Sequence, residues 1–257
     1  MGADQDMTEN MTENMMETGK SRPDPAHVPG TAGRAYTLVR ARRKTLAIHI
    51  TKDAVVEVRA PLKMSISYID HFVASKESWI RQRLAERIRV RDEKAAFSLG
   101  YGDPVWLFGR QYPLTAADGR RPGFDGSTFR IPAGLQAEKV KDAVIQVYRQ
   151  TARRVCADRI AAFTERMRVE PAGFHITGAM TRWGSCSAKH SLNFSWRLMM
   201  ADEEVIDYVI VHELAHIREL NNSPRFWAHV EAVLPDYKAR QQRLRQLQSR
   251  LSVQDWG

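Results

Sequence analysis

The sequence lacks long hydrophobic runs and contains little cysteine. Among its 257 residues, no stretch approaches the ~18 consecutive apolar residues of a transmembrane helix, so we expect no membrane contact. The first thirty residues show no basic start followed by an apolar stretch, so no secretory signal peptide is expected. The two cysteines, Cys156 and Cys186, cannot build a disulfide framework and favour a reducing compartment. We therefore predict a cytoplasmic protein.

The composition is that of an ordinary globular protein. Apolar residues make up 43% of the chain, with 15 Gly and 11 Pro, which excludes collagen-like, coiled-coil and wholly disordered classes. The length suffices for one large domain or two modest domains.

Basic residues are in excess, and the excess is unevenly distributed. The net charge is +9, yet residues 1–33 hold six acids and only two bases, which leaves 37 Lys and Arg against 24 Asp and Glu in the remainder. Such a surface attracts polyanions and supports weak, non-specific nucleic-acid contact. A solubilising basic surface explains the same charge, and no nucleic-acid recognition motif is present.

Three regions follow from the sequence pattern. Residues 1–33, with a tandem MTEN and a stretch bearing Pro and Gly, are typical of a disordered tail. Residues 34–133 predict a β-rich basic region with one helix over about 65–93, and 106–112 and 129–131 are expected to be strands. Residues 134–257 predict a further domain, which begins with a long amphipathic helix from Glu138 to about Val169.

The rest of the third region predicts a small sheet beside a helix. Residues 174–183 and 192–199 are typical of two strands joined by a turn, which we expect to form a small antiparallel sheet. Asp202 opens a helix with acids in its first turn, which is predicted to run to about Leu220. Ser223 and Pro224 then combine an N-cap with a proline at the first helical position, so another helix begins there. The fold class is therefore α+β.

The helix that follows Asp202 carries a motif with chemical meaning, HELAH at 212–216. Four residues span slightly more than one helical turn, so His212 and His216 project from the same side. Two such imidazoles can bind zinc, and Glu213 can then act as general base toward an attacking water. The alternative is a surface helix, but the flanking residues VIDYVIV are too apolar for one.

Residues 181–227 resemble the signature of the YgjP-like metallopeptidases, relatives of the SprT zinc proteases in the zincin group. They read TRWGSCSAKHSLNFSWRLMMADEEVIDYVIVHELAHIRELNNSPRFW. The resemblance extends back to RARRKTLAIHI near Arg40 and to YPL at Tyr112, and forward to LPDY at 234–237. It implies a zincin-like catalytic domain that uses Zn²⁺, with His212 and His216 as ligands and Glu213 as catalytic base.

One position departs from the family pattern. The resemblance implies a third histidine ligand six residues after His216, but this chain has Asn222 there. An asparagine oxygen suits hard cations better than zinc, so zinc affinity is expected to fall. Asn222 or a water in the third place is our first interpretation. The second interpretation is that His229 or a downstream acid, Glu231 or Asp236, is the third ligand. His229 can contact the metal only if its helix tilts, because it lies ~10 Å along the axis of that helix.

These observations predict a zinc-dependent metallopeptidase that hydrolyses peptide bonds in a protein or peptide substrate. The alternative is a catalytically degenerate zincin-fold binding protein, with nucleic acid as a candidate partner, that has lost its metal through Asn222.

Overall fold

The computed structural model describes residues 26–29 and 35–257. The chain divides into two compact units, Met1–Arg91 and Asp92–Gly257, whereas the sequence pattern predicted a boundary between residues 133 and 134. Four residues of the predicted tail, 26–29, form a strand, and the rest of that tail lies outside the described residues.

The first unit combines a sheet with helices. In its described residues it contains β1 (Ala26–Pro29), β2 (Ala35–Ala41), β3 (Ala47–Ile50), β4 (Val56–Pro61), α1 (Ile66–Ser75) and the start of α2 (Glu77–Ala96). The strand order is β1-β2-β4-β3, with β2 and β4 parallel and the other pairs antiparallel. The single helix predicted over about 65–93 is therefore two helices, because Lys76 leaves the helical conformation between them.

A small core holds this unit together and includes one buried polar pair. Tyr36, Val58 and Ile69 are among its buried apolar residues. The Tyr36 hydroxyl donates a 2.6 Å hydrogen bond to Asp70, so the buried carboxylate has a partner within the core.

The second unit contains two sheets and most of the helices. Its elements are β5 (Pro104–Leu107), β6 (Arg110–Ala117), β7 (Gly123–Phe124), β8 (Phe129–Pro132), α3 (Ala137–Met167), β9 (Gly173–Thr177), β10 (Gly184–Cys186), β11 (Ser191–Ser195), a 3₁₀ helix (Trp196–Met200), α4 (Glu203–Ala215), α5 (Pro224–Val233) and α6 (Tyr237–Leu251). The α+β class predicted from the sequence is confirmed by this arrangement.

Strand pairing differs from the sequence prediction in two places. Residues 106–112 were expected to form one strand, but Phe108 and Gly109 adopt φ values of 51° and 74° and turn the chain into the β5–β6 hairpin. The sheet beside α4 has the order β10-β11-β9, in which β10 and β11 are antiparallel but β9 and β11 are parallel. This sheet is therefore mixed, and residues 178–183 are not part of a strand.

The core of the second unit is built on α3 and an aromatic cluster. Tyr148 stacks on Trp196 at a ring-centroid distance of 5.5 Å, and Trp256 packs edge-on against both rings. Strands of both sheets and the helix α4 contribute further buried residues to the same core. Although α3 has 31 residues, no helix in the described part of the chain is both long and apolar enough to cross a membrane.

Candidate metal centre

The helix α4 is buried on almost all sides and carries the HELAH residues. The Asp202 side chain accepts a hydrogen bond from the Val205 N–H at 3.1 Å, which confirms the predicted N-cap. The helix was expected to reach about Leu220, but it ends at Ala215 with His216 as its C-cap. The chain then turns, with the Arg218 N–H bonded to the Ala215 carbonyl. Both histidines therefore lie in the last turn and its cap.

The imidazoles of His212 and His216 lie side by side at the end of α4. Their ring centroids are 4.9 Å apart and their planes are nearly perpendicular. The His216 Nδ1 lies 3.0 Å from the Glu219 carbonyl oxygen, and as a donor to it leaves Nε2 free to bind a ligand. The His212 Nδ1 is buried and, among the described residues, has no hydrogen-bond partner. Such an atom is typical of a functional site.

The first turn of α5 covers both imidazoles. Phe226 is fully buried, stacks on His216 at 4.4 Å between ring centroids and meets His212 edge-on at 4.8 Å. The predicted start of α5 is confirmed, because Ser223 caps it by accepting from the Phe226 N–H at 3.2 Å and Pro224 follows. The Phe226 contact was not predicted from the sequence, since the aromatic pair at 226–227 gave no sign of its target.

Both imidazoles are held in the neutral state. Burial lowers the pKa of His212 to about 3, and the neighbouring His216 adds to this effect. Burial likewise lowers the pKa of His216. Neutral imidazole is the form that binds metal ions, so the pair has the right chemistry at neutral pH.

Glu213 is buried beside β10, with only 6% of its surface exposed. Burial raises the pKa of its carboxyl to about 8, opposed by the nearby Arg182 and by a hydrogen bond from the Cys186 main-chain N–H. A carboxyl with a pKa near neutrality is matched to proton transfer. The Cys186 thiol is half-buried, and its pKa is raised by burial and by Glu213, so it is a poor nucleophile.

Gly184 of β10 approaches Glu213 closely. A Cβ atom added at this glycine would lie 2.6 Å from the Glu213 Cγ and Oε1 atoms. The sequence indicated only that Gly184 permits tight backbone geometry, because its neighbour lies 29 positions away along the chain. Neither this approach nor the Cys186 N–H contact was predicted.

The third ligand position is not filled by another strong ligand. Asn222 is exposed in the loop between α4 and α5. In the part of the chain that the structure describes, no group of three or more His, Cys, Asp or Glu is arranged to hold a metal ion. The substitutes considered from the sequence, His229, Glu231 and Asp236, are thus not gathered at the imidazoles, and Asp236 instead pairs with Arg240 at 2.9 Å.

The two imidazoles can therefore supply two of the ligands of a metal ion. Two neutral imidazoles, one with an unpartnered buried nitrogen and one oriented by a carbonyl, are the ligands that zinc prefers. A helix with two histidines one turn apart and a glutamate between them is typical of one class of protein, the HExxH metallopeptidases.

Comparison with known proteins places the chain in a metallopeptidase family. The model of the family described as YgjP-like, metallopeptidase domain, matches residues 44–247. The chain therefore belongs to the YgjP-like metallopeptidase domain family, which confirms the resemblance seen in the sequence and implies a metal cofactor.

Comparison with solved structures gives a remote match that carries no argument about this chain. A solved structure described as the metallopeptidase zymogen of Pyrococcus abyssi abylysin matches with 22% identity over 35% of this chain and 90% of that chain, at a TM-score of 0.33. No curated protein matches the chain significantly.

Proposed function

We propose that this protein is a zinc-dependent metallopeptidase in which His212 and His216 bind the metal and Glu213 is the general base. The observation that carries the proposal is the pair of neutral imidazoles, 4.9 Å apart, with a buried carboxylate on the same helix. Membership of a metallopeptidase family supports a protein or peptide as substrate.

Each residue of the site has a distinct task in peptide hydrolysis. The bound zinc would polarise the peptide carbonyl and make the attacking water more acidic. A cation bound at the imidazoles would favour the ionised form of Glu213, and in that form Glu213 accepts the proton of the water and passes it to the leaving amine. The Glu219 carbonyl fixes the ring of His216, and Phe226 shields both imidazoles from solvent.

We place Asn222 at the third-ligand position, directly or through a water. Its position in the sequence supports this assignment, since it follows His216 by six residues, as the implied histidine does. An amide oxygen is a weaker zinc ligand than imidazole, so we expect zinc to be bound less tightly than by three histidines.

A catalytically degenerate binding protein is the second candidate, and one specific observation favours it. Within the described residues no third His, Cys, Asp or Glu joins the two imidazoles. In this case the fold would persist without metal, and the basic excess of the chain would support weak nucleic-acid contact. DNA binding that does not weaken between low and moderate salt would exclude an electrostatic contact of this kind.

The zinc content of protein purified without chelator or nickel resin tests the proposal. We expect about one zinc per chain, as for a single catalytic site. The double variant His212→Ala, His216→Ala should lose this zinc, while His175→Ala and His229→Ala, which change histidines outside the pair, should keep it. Wild-type protein free of zinc and inactive on peptides would favour the degenerate alternative.

A further inference from the structure

The face of β10 that meets α4 is shaped around one side chain. A Cβ atom at Gly184 would lie 2.6 Å from Cγ and Oε1 of Glu213 and 2.9 Å from its Cδ. Cβ atoms in proteins essentially never approach non-bonded heavy atoms of other residues closer than 3.0 Å. Glycine is therefore the residue that leaves room for the Glu213 side chain in its present position.

The same strand supplies a hydrogen bond to the same carboxylate. The main-chain N–H of Cys186, two residues after Gly184, donates to Glu213. Ser185, between them, faces the other way, and its Oγ accepts from the Asn193 side chain of β11 at 3.3 Å. This alternation is that of a strand with one face against α4.

The strand is fixed independently of Glu213. β10 pairs with β11 from Gly184 to Cys186, and just before it the Trp183 carbonyl accepts from the Ser195 N–H at 2.8 Å. β11 in turn contributes Leu192 and Phe194, both fully buried, to the core of the unit.

We propose that Gly184 and the Cys186 main-chain N–H together position the Glu213 carboxylate. The proposal rests on the proposed function, because positioning matters only if Glu213 acts as a base. Gly184 supplies the space and Cys186 supplies a fixed donor. Gly184 is a positioning residue, since it acts through Glu213. The three heavy atoms nearest to a Cβ at position 184 all belong to the Glu213 side chain, so alanine there is expected to displace that side chain.

A double-mutant cycle on stability tests the contact itself, whether or not the protein cleaves peptides. Gly184→Ala is made in the wild-type full-length chain and in the Glu213→Ala variant, which lacks the three atoms that the new Cβ would meet. We expect Gly184→Ala to lower Tm by about 5 °C in the wild type and by less than half of that in Glu213→Ala. Equal shifts in the two backgrounds would overturn the proposal.

Gly123→Ala is the matched control for this cycle. Gly123 also lies in a strand, β7, but a Cβ atom there would have no heavy-atom neighbour within 4 Å. We expect the Gly123→Ala shift in Tm to be the same in both backgrounds. The cycle therefore reports the specific pair of positions 184 and 213.

Activity on fluorescein-labelled casein tests the consequence for chemistry. We expect Gly184→Ala to lower kcat by about 100-fold or more, with zinc content and KM close to wild type, because a displaced base no longer meets the attacking water. Adding Glu213→Asp, which shortens the side chain by one methylene, should recover part of the lost kcat. A Gly184→Ala variant with wild-type kcat, or with lost zinc and no such recovery, contradicts a positioning role.

The two experiments separate failure of the inference from failure of the proposed function. If the wild type binds zinc but leaves casein and other peptides intact, the proposed function fails while the stability cycle still measures the contact. If the wild type is active and the cycle shows no coupling, the proposed function stands and the positioning role is wrong.

Discussion

In each unit the described residues include a carboxylate that is less than a tenth exposed, and the surroundings of the two carboxylates differ. Asp70 in the first unit is 8% exposed and Glu213 in the second is 6% exposed. Asp70 accepts a 2.6 Å hydrogen bond from Tyr36, whose phenolic pKa is raised by burial and by this bond. Glu213 instead accepts a main-chain N–H and belongs to the same HELAH segment as the two neutral imidazoles, and burial raises its pKa to about 8.

The difference separates structural from chemical use of a buried acid. A carboxylate tied to a hydroxyl inside a small apolar core contributes to stability and to the specificity of packing. A buried carboxyl with a raised pKa is typical of active sites. We therefore expect changes at the Asp70 pair to alter stability and changes at Glu213 to alter activity.

The largest effect is expected for Glu213→Gln. Removing the base should lower kcat on a labelled protein substrate by about 100-fold or more, while zinc content and Tm stay near or above wild type. Glu231→Gln, at an exposed acid of α5, is the matched control and should retain activity. Hydrolysis that survives Glu213→Gln would exclude Glu213 as the base and remove the contrast with Asp70.

Asn222→His tests whether the side chain at position 222 contributes to metal binding. A third imidazole should raise zinc affinity by roughly tenfold or more, because it replaces an amide oxygen or a water as ligand. Competition with a zinc chelator measures this change. Asn221→His is the control one residue earlier and should leave affinity close to wild type. An unchanged affinity in Asn222→His would show that position 222 does not reach the metal.

Tyr36→Phe tests the structural carboxylate. Loss of the donor to buried Asp70 should lower the free energy of unfolding by about 1–3 kcal/mol, measured by urea denaturation. Tyr68→Phe, at a tyrosine that is 59% exposed, should change it by less than about 0.5 kcal/mol. Zinc content should be unaffected in both variants. A Tyr36→Phe protein as stable as wild type would mean that the hydrogen bond adds nothing to the core.

The smallest effect is expected at Asp207, a third carboxylate, in the middle of α4. Its pKa is raised by burial, with Glu203 and Glu204 acting in the same direction and Arg159 and Arg240 opposing. Such a group favours the folded state below its ordinary pKa of about 3.9, and this contribution is lost as pH rises through the raised value.

The wild type should therefore lose some stability as pH rises above about 4, because Asp207 ionises there. The Asp207→Asn variant should not show this part of the loss. Thermal unfolding at a series of pH values measures the difference between the two proteins. Asp142→Asn, at an exposed acid of α3, is the control and should follow the wild type. A wild type and Asp207→Asn pair with parallel pH curves would contradict the raised pKa.

Local signals in the sequence predicted the start of each helix at the site. Asp202 and Ser223 cap α4 and α5 through hydrogen bonds to residues three positions later, so the information lies within one turn. The end of α4 was misplaced, because its apolar pattern continues through Ile217 while the chain already turns at His216.

Contacts between residues far apart in the chain could not be predicted from the sequence, and the reason is physical. Apolar alternation marks β9 and β11 as strands but does not encode their relative direction, so their parallel pairing was missed. The Gly184 contact joins positions 29 residues apart, and no local rule connects them. The β5–β6 turn was within reach, because Gly109 is the kind of residue that hairpin turns require.

The loop that carries Asn222 contacts the His216 ring through the Glu219 carbonyl and has a second contact with the end of α3. The Arg218 guanidinium donates to the Met167 carbonyl at 2.6 Å and to the Arg168 carbonyl at 3.3 Å, where α3 ends in a left-handed residue. The loop is therefore held at both ends, by the contacts of Arg218 and by the Ser223 cap. A substitution within 219–222 keeps the length of this loop, whereas an insertion or deletion there would change the position of Asn222 relative to both ends.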